Sequence, residues 1–144
     1  LAHPWASKSR ITPDELAQED LLLLGAGHCF REQVIQICPE CLQQTNRPSK
    51  NGQIIEGGSL ETIRHMVASG LGVTVLPCSA AGVDRYSQRL LRIKRFVEPA
   101  PSRTVVLAWR KSFTRLPALA ALHQAISACQ LSCVQHLPCS AALQ

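Results

Sequence analysis

Two thiols nine residues apart on a helix can bond only if the chain between them moves, and Cys29 and Cys38 are such a pair. Between them Val34 and Ile37 recur at helical spacing beside polar Arg31, Glu32, Gln33 and Gln36, which predicts a helix that starts near Cys29. Nine residues of helix rise about 13 to 14 Å at roughly 1.5 Å each, whereas a disulfide needs its Cα atoms within about 7 Å. Oxidation at this pair would therefore unwind the helix and remodel the local fold. That is the behaviour of a redox switch and not of a static staple.

The surroundings favour a reactive Cys29. Leu21 to Leu24 read as a buried strand, and Gly25 and Gly27 then turn the chain, which places Cys29 in the first helical turn. Unpaired backbone N–H groups and the positive end of the helix dipole favour a thiolate there. His28 can donate a hydrogen bond or hold positive charge beside the sulfur. Arg31 is a second nearby cation, and Glu32, three residues after Cys29, can satisfy helix-start amides. The competing reading is plain packing, because cysteine is among the most commonly buried residues. The second cysteine at helical remove shifts the balance towards reactivity.

The elements that would position this pair alternate between strand and helix. Thr12 can cap a helix with Pro13 at its first position, ahead of the Leu21 to Leu24 strand. After a loop broken by Pro39, Asn46, Pro48, Asn51 and Gly52, Gln53 to Glu56 offers a short strand. Ser59 then caps a helix whose Leu60, Ile63, Met66 and Val67 form an apolar stripe and which Gly70 stops. That stripe is also a candidate interface. Val73 to Leu76 reads as a buried strand ending at Pro77. The β-rich runs Leu90 to Phe96 and Thr104 to Trp109 follow, and then an Ala/Leu-rich helix from about Pro117 to Leu131. Strand–helix–strand order predicts an α/β fold with parallel pairing.

Composition narrows the class. A 144-residue chain that is 46% hydrophobic can build one sizeable core, mostly of Leu, Ile, Val and Ala since aromatics are only 4%. Seven cysteines cannot all pair internally, which points to a reducing cytoplasmic compartment. The longest apolar run, around Leu21 to Leu24, is far short of the roughly 20 residues that cross a bilayer, so no membrane role is expected. The +5 formal charge is scattered through Arg85, Arg89, Arg92, Lys94, Arg95, Arg103, Arg110, Lys111 and Arg115 without a nucleic-acid signature, and solvated faces account for it.

The block Ser59-Leu60-Glu61-Thr62-Ile63-Arg64-His65-Met66-Val67-Ala68-Ser69-Gly70-Leu71-Gly72-Val73-Thr74-Val75-Leu76-Pro77 resembles the helix–Gly–strand–Pro signature of LysR-type transcriptional regulators. Gly27-His28-Cys29, Arg31 and Cys38 resemble the peroxide-sensing members of that family, and the likeness runs from His3 to about Leu131. It implies a periplasmic-binding-protein-like effector domain. It also implies that Cys29 is the peroxidatic cysteine, oxidised to a sulfenic acid, and Cys38 the resolving cysteine that closes the disulfide. His28 and Arg103 match pocket positions, where a cation stabilises the thiolate and the departing hydroxide.

The family begins with a winged helix-turn-helix, a linker helix and the first half of the effector domain, none of which precedes Leu1, so the chain reads as a fragment. On that reading residues 1–9 cross over from an incomplete subdomain, 10–103 form the redox-sensing subdomain, 104–131 return to the first, and 132–144 are a tail. Apolar surface would then be exposed on the helix from Leu116 to Leu131. The implied partners are hydrogen peroxide, further copies in a homodimer or homotetramer, and promoter DNA and RNA polymerase through the full-length protein. Glutaredoxin or thioredoxin would supply re-reduction. No cofactor, metal or enzymatic turnover is expected.

Other readings stay open. Cys38-Pro39-Glu40-Cys41 has the C-x-x-C spacing of a zinc half-site, completed by His28 or Cys29, or of a thiol–disulfide pair, with Cys129, Cys133 and His136 as a speculative second ligand set, and Cys41 can compete as a resolving thiol. Cys78, and Cys129 with Cys133 one turn apart on a helix, are expected to pack in or on the core. A LysR-type domain binding a small organic effector is the alternative function. A thiol peroxidase ranks below it, because the chain has no P-x-x-x-T-x-x-C arrangement.

Overall fold

The computed structural model describes residues 3–41, 55–81, 90–131 and 133–137. Its local starts follow from side-chain chemistry. Strand β1 (Arg10–Ile11) leads into helix α1 (Pro13–Leu16). The Thr12 hydroxyl accepts from the Glu15 amide at 3.2 Å while the Glu15 carboxylate accepts from the Thr12 amide at 2.9 Å, a reciprocal cap with Pro13 in the first turn. Strand β2 (Leu22–Leu24) follows, then α2 (Cys29–Ile37), β3 (Ile55–Gly57) and α3 (Leu60–Ala68). The Ser59 hydroxyl accepts from the Thr62 amide at 3.1 Å to start α3. A short α4 (Cys78–Ala81), strand β4 (Arg95–Phe96) and α5 (Leu116–Ala128) follow, and a 3-10 turn (Pro4–Ser7) precedes β1.

Pairing is parallel. In one two-stranded sheet β2 runs beside β3 with Leu22 opposite Ile55, Leu23 opposite Glu56 and Leu24 opposite Gly57; in the other β1 runs beside β4. Because strand side chains alternate between faces, β2 serves two apolar clusters. Leu21 and Leu23 join Leu16, Ala17, Val34, Cys38, Cys41 and Val73, while Leu22 and Leu24 pack with Ile63 of α3. A strand buried on both faces reads as an unbroken apolar run, which the four consecutive leucines are.

Several expected strands are shorter than their composition suggests. Of Val73 to Leu76 only Val73 meets β2 as a backbone bridge, opposite Leu21. The Thr74 hydroxyl then donates to Leu22 O at 2.9 Å, a side-chain bond in place of a continued ladder. Gly72 sets up this crossing with φ +151°, and a Cβ there would lie 2.2 Å from Asp20 O. In Leu90 to Phe96 only Arg95 and Phe96 pair. Thr104 to Trp109 forms no ladder, and Val105 and Val106 are exposed: β propensity makes no strand without a neighbour to bond.

The chain divides into two compact units, Leu1–Pro101 and Ser102–Gln144. The first contains β1 to β4 and α1 to α4. In the second, α5 buries Leu119 and exposes Leu116, Leu122 and Ile126, the apolar exposure expected of this helix. Helix α5 ends at Ala128, so Cys129 and Cys133 do not lie one turn apart on it, and both are exposed. Cys78 is exposed as well, at the start of α4, because Pro77 ends the apolar run before it. Among the described residues no helix is long and apolar enough to cross a membrane.

Candidate redox site

Helix α2 sets the geometry of the site. Gly27 takes φ +93°, a backbone that side-chain-bearing residues rarely adopt, and turns the chain from β2 into the helix. His28 occupies the N-cap in an extended conformation, and its side chain makes no capping bond. Its imidazole is therefore not used to close the helix end. Cys29 is the first helical residue, exposed and a free thiol. Its position exposes the sulfur to solvent beside the first-turn amides of α2.

Arg31 secures this end of α2. Its guanidinium donates to Leu24 O at 2.7 Å and pairs with the Glu56 carboxylate at 2.7 Å, with the Arg31 side chain only 13% exposed. Its carboxylate partner is thus Glu56 of β3 and not its chain neighbour Glu32. Parallel pairing of β2 with β3 brings Glu56 to the strand ends beside the Leu24 carbonyl, a contact no local spacing reveals.

Cys38 caps the other end. Its amide donates to Val34 O at 3.2 Å, and the sulfur is bonded to Cys41 across a turn at residues 39–41, with Cα atoms 5.5 Å apart. Cys38 is 3% exposed and Cys41 2%, both within the cluster of Leu16, Leu21, Leu23 and Val34. Cys29 and Cys38 thus sit at opposite ends of an intact helix, and the disulfide present is Cys38–Cys41 and not Cys29–Cys38. The reason is geometric: the turn after α2 brings Cys41 within bonding reach, whereas the helix holds Cys29 away. Of the chemistries that the C-x-x-C spacing of Cys38 and Cys41 left open, the thiol–disulfide pair is the one the structure holds.

Arg103 belongs to the second unit and is exposed. Cys129 is a free thiol, whereas Cys78 and Cys133 are each engaged in a disulfide. Among the described residues no three His, Cys, Asp or Glu side chains converge as a metal site, and both thiols of the C-x-x-C pair are engaged in the disulfide.

Residues 1–130 match the family described as the LysR substrate binding domain. The chain belongs to the LysR family. Among curated LysR relatives, it is 35% identical over 108 residues to the DNA-binding transcriptional dual regulator OxyR of Escherichia coli (strain K12), covering 75% of this chain and 33% of that protein. It is 34% identical over 108 residues to the hydrogen peroxide-inducible genes activator of Dickeya chrysanthemi, with the same coverage of 75% and 33%. The chain spans about a third of the length of these curated relatives.

Among solved structures, it resembles the reduced form of the OxyR regulatory domain from Pseudomonas aeruginosa, with a TM-score of 0.74 at 46% identity over 88% of this chain and 57% of that one. It also resembles a reduced form of OxyR from N. meningitidis, with a TM-score of 0.74 at 40% identity over 87% of this chain and 56% of that one. The α/β fold is that of a LysR effector domain, as the signature block from Ser59 to Pro77 leads one to expect.

Proposed function

We propose that this chain is the peroxide-sensing regulatory part of a LysR-type transcription activator. One observation carries the reading: an exposed free thiol, Cys29, opens the same helix that ends at the buried Cys38. The names of the LysR relatives, hydrogen peroxide-inducible genes activator and OxyR, support it.

The chemistry starts from reduced Cys29, Cys38 and Cys41. The Cys29 thiolate attacks one peroxide oxygen, the O–O bond breaks, and hydroxide leaves as Cys29 becomes a sulfenic acid. The Cys38 thiolate then attacks the Cys29 sulfur and displaces a second hydroxide, which takes up a proton as water. Bond formation requires Cys38 to leave its apolar cluster and α2 to unwind, and that rearrangement is the signal. In this reading His28 and Arg103 stabilise the thiolate and the leaving hydroxide. Residues 10–103 form the sensor subdomain. The event is stoichiometric, so the chain is a regulator and not an enzyme.

In the complete protein the change would pass through a homodimer or homotetramer to promoter DNA and RNA polymerase in the cytoplasm. Glutaredoxin or thioredoxin would restore the thiols. The family description as a substrate binding domain favours a second reading, in which a small organic effector is the signal.

Peptide mapping after a brief near-stoichiometric peroxide pulse, with free thiols blocked by alkylation, tests the proposal. A Cys29–Cys38 disulfide that Cys29→Ser abolishes is expected. Cys29 left fully alkylated in the full-length protein would overturn it, and an effector response unchanged in Cys29→Ser would establish the second reading.

A further inference from the structure

The Cys38–Cys41 disulfide is a second redox state that shares its central sulfur with the switch, and the two disulfides are mutually exclusive. We infer that Cys41 resets the switch from within: it takes Cys38 from the Cys29–Cys38 disulfide and returns Cys29 as a thiol, with no external reductant. The inference rests on the peroxide-sensing reading. The step balances as a thiol–disulfide exchange. Cys41 loses its proton and attacks Cys38 Sγ; the Cys38–Cys41 bond forms, the Cys29–Cys38 bond breaks, and Cys29 leaves as a thiolate that takes up a proton. No net electrons move.

The folded helix gives the exchange its direction. With Cys38 bonded to Cys41, α2 is continuous from Cys29 to Ile37, and both sulfurs lie in the cluster with Leu16, Leu21, Leu23 and Val34. With Cys38 bonded to Cys29, the same helix cannot persist across roughly 13 to 14 Å of rise. Exchange therefore restores helical hydrogen bonds and returns Cys38 to apolar surroundings. Cys41 lies three positions after Cys38, and the turn that joins them, with the Cys41 amide donating to Cys38 O at 3.1 Å, lets the two sulfurs bond over that short link.

The chain would then be oxidised but unswitched. A second peroxide reaching Cys29 would meet no free Cys38 thiol, and the sulfenic acid would persist or oxidise further. The reset thus limits the signal in time and leaves the sensor refractory until a reductant opens Cys38–Cys41.

The test follows the fully reduced full-length protein after one equivalent of peroxide, with reductant removed and thiols trapped at intervals for peptide mapping. Cys29–Cys38 is expected to appear first and to convert to Cys38–Cys41 as Cys29 becomes alkylatable again. In Cys41→Ser, and in Cys41→Ala as a second variant, Cys29–Cys38 should last at least about tenfold longer. Equal lifetimes in wild type and variants overturn the reset and leave peroxide sensing intact. Rapid formation of Cys38–Cys41 in Cys29→Ser overturns it too, because the pairing would then arise without the switch. If peroxide leaves Cys29 reduced, the sensing proposal fails, and Cys29 is loaded as its mixed disulfide with 2-nitro-5-thiobenzoate. Release of that coloured thiolate followed by Cys38–Cys41 would uphold the reset, and retention of it would overturn the reset as well.

Discussion

Arg31 joins two strand ends to the helix that carries the reactive cysteine, and its partners differ in weight. Glu56 is 47% exposed, so the ion pair is partly screened and contributes under about 1 kcal/mol. The bond to Leu24 O lies deeper, and removing a charged donor from it costs about 1 to 3 kcal/mol. Arg31→Ala is therefore expected to destabilise by about 1 to 3 kcal/mol, and Glu56→Gln by less than about 1. Urea titrations of the two variants check the ordering. Equal losses would show that the carboxylate and not the carbonyl anchors Arg31. This contact was not legible in the sequence, since Arg31 and Glu56 meet only through the β2–β3 register. The opposed cysteines were legible, because Val34 and Ile37 mark the helix between them and fix their separation.

At the scale of elements, β1 and β4 are two residues each and rely on side chains to hold their register. Arg10 pairs with Glu98 at 3.0 Å, and the Ala100 amide donates to the same carboxylate. The Ala100 amide first and the Arg10 guanidinium second hold Glu98 below its ordinary value of 4.5. A carboxyl group lowered on folding stabilises fully above its ordinary value and loses that contribution as pH falls through the folded one. Wild type should therefore melt above Glu98→Gln at neutral pH, and the gap should close as pH drops below about 4.5. A gap that persists in acid would assign it to packing. Gly72 makes a sharper prediction. A methyl 2.2 Å from Asp20 O forces the bridge between Leu21 and Val73 apart, so Gly72→Ala should cost more than about 3 kcal/mol by denaturant melt. Helix ends were readable here because caps are local: Thr12, Ser59 and Gly70 each mark a boundary by their own chemistry. Strands were less so, since Thr104 to Trp109 has β composition but meets no partner among the described residues.

Over the whole molecule, apolar burial is uneven. The first unit holds both clusters around β2, with Leu22 fully buried, whereas Leu119 is the one buried residue among those described in the second unit. Stability should therefore reside in the first unit. Truncating Leu22 removes packed atoms and leaves a cavity, which costs about 2 to 5 kcal/mol. Leu122 and Ile126 are 47% and 46% exposed, and polar replacements at such positions fall within about 0.5 kcal/mol. Leu122→Gln with Ile126→Gln is thus expected to leave the main unfolding midpoint unchanged and to reduce binding of a hydrophobic dye, because α5 would lose part of its exposed apolar face. Leu22→Ala should lower the midpoint strongly. If the double α5 variant lowers it as far, the two units unfold as one cooperative structure, and the apolar residues of α5 contribute to it despite their exposure.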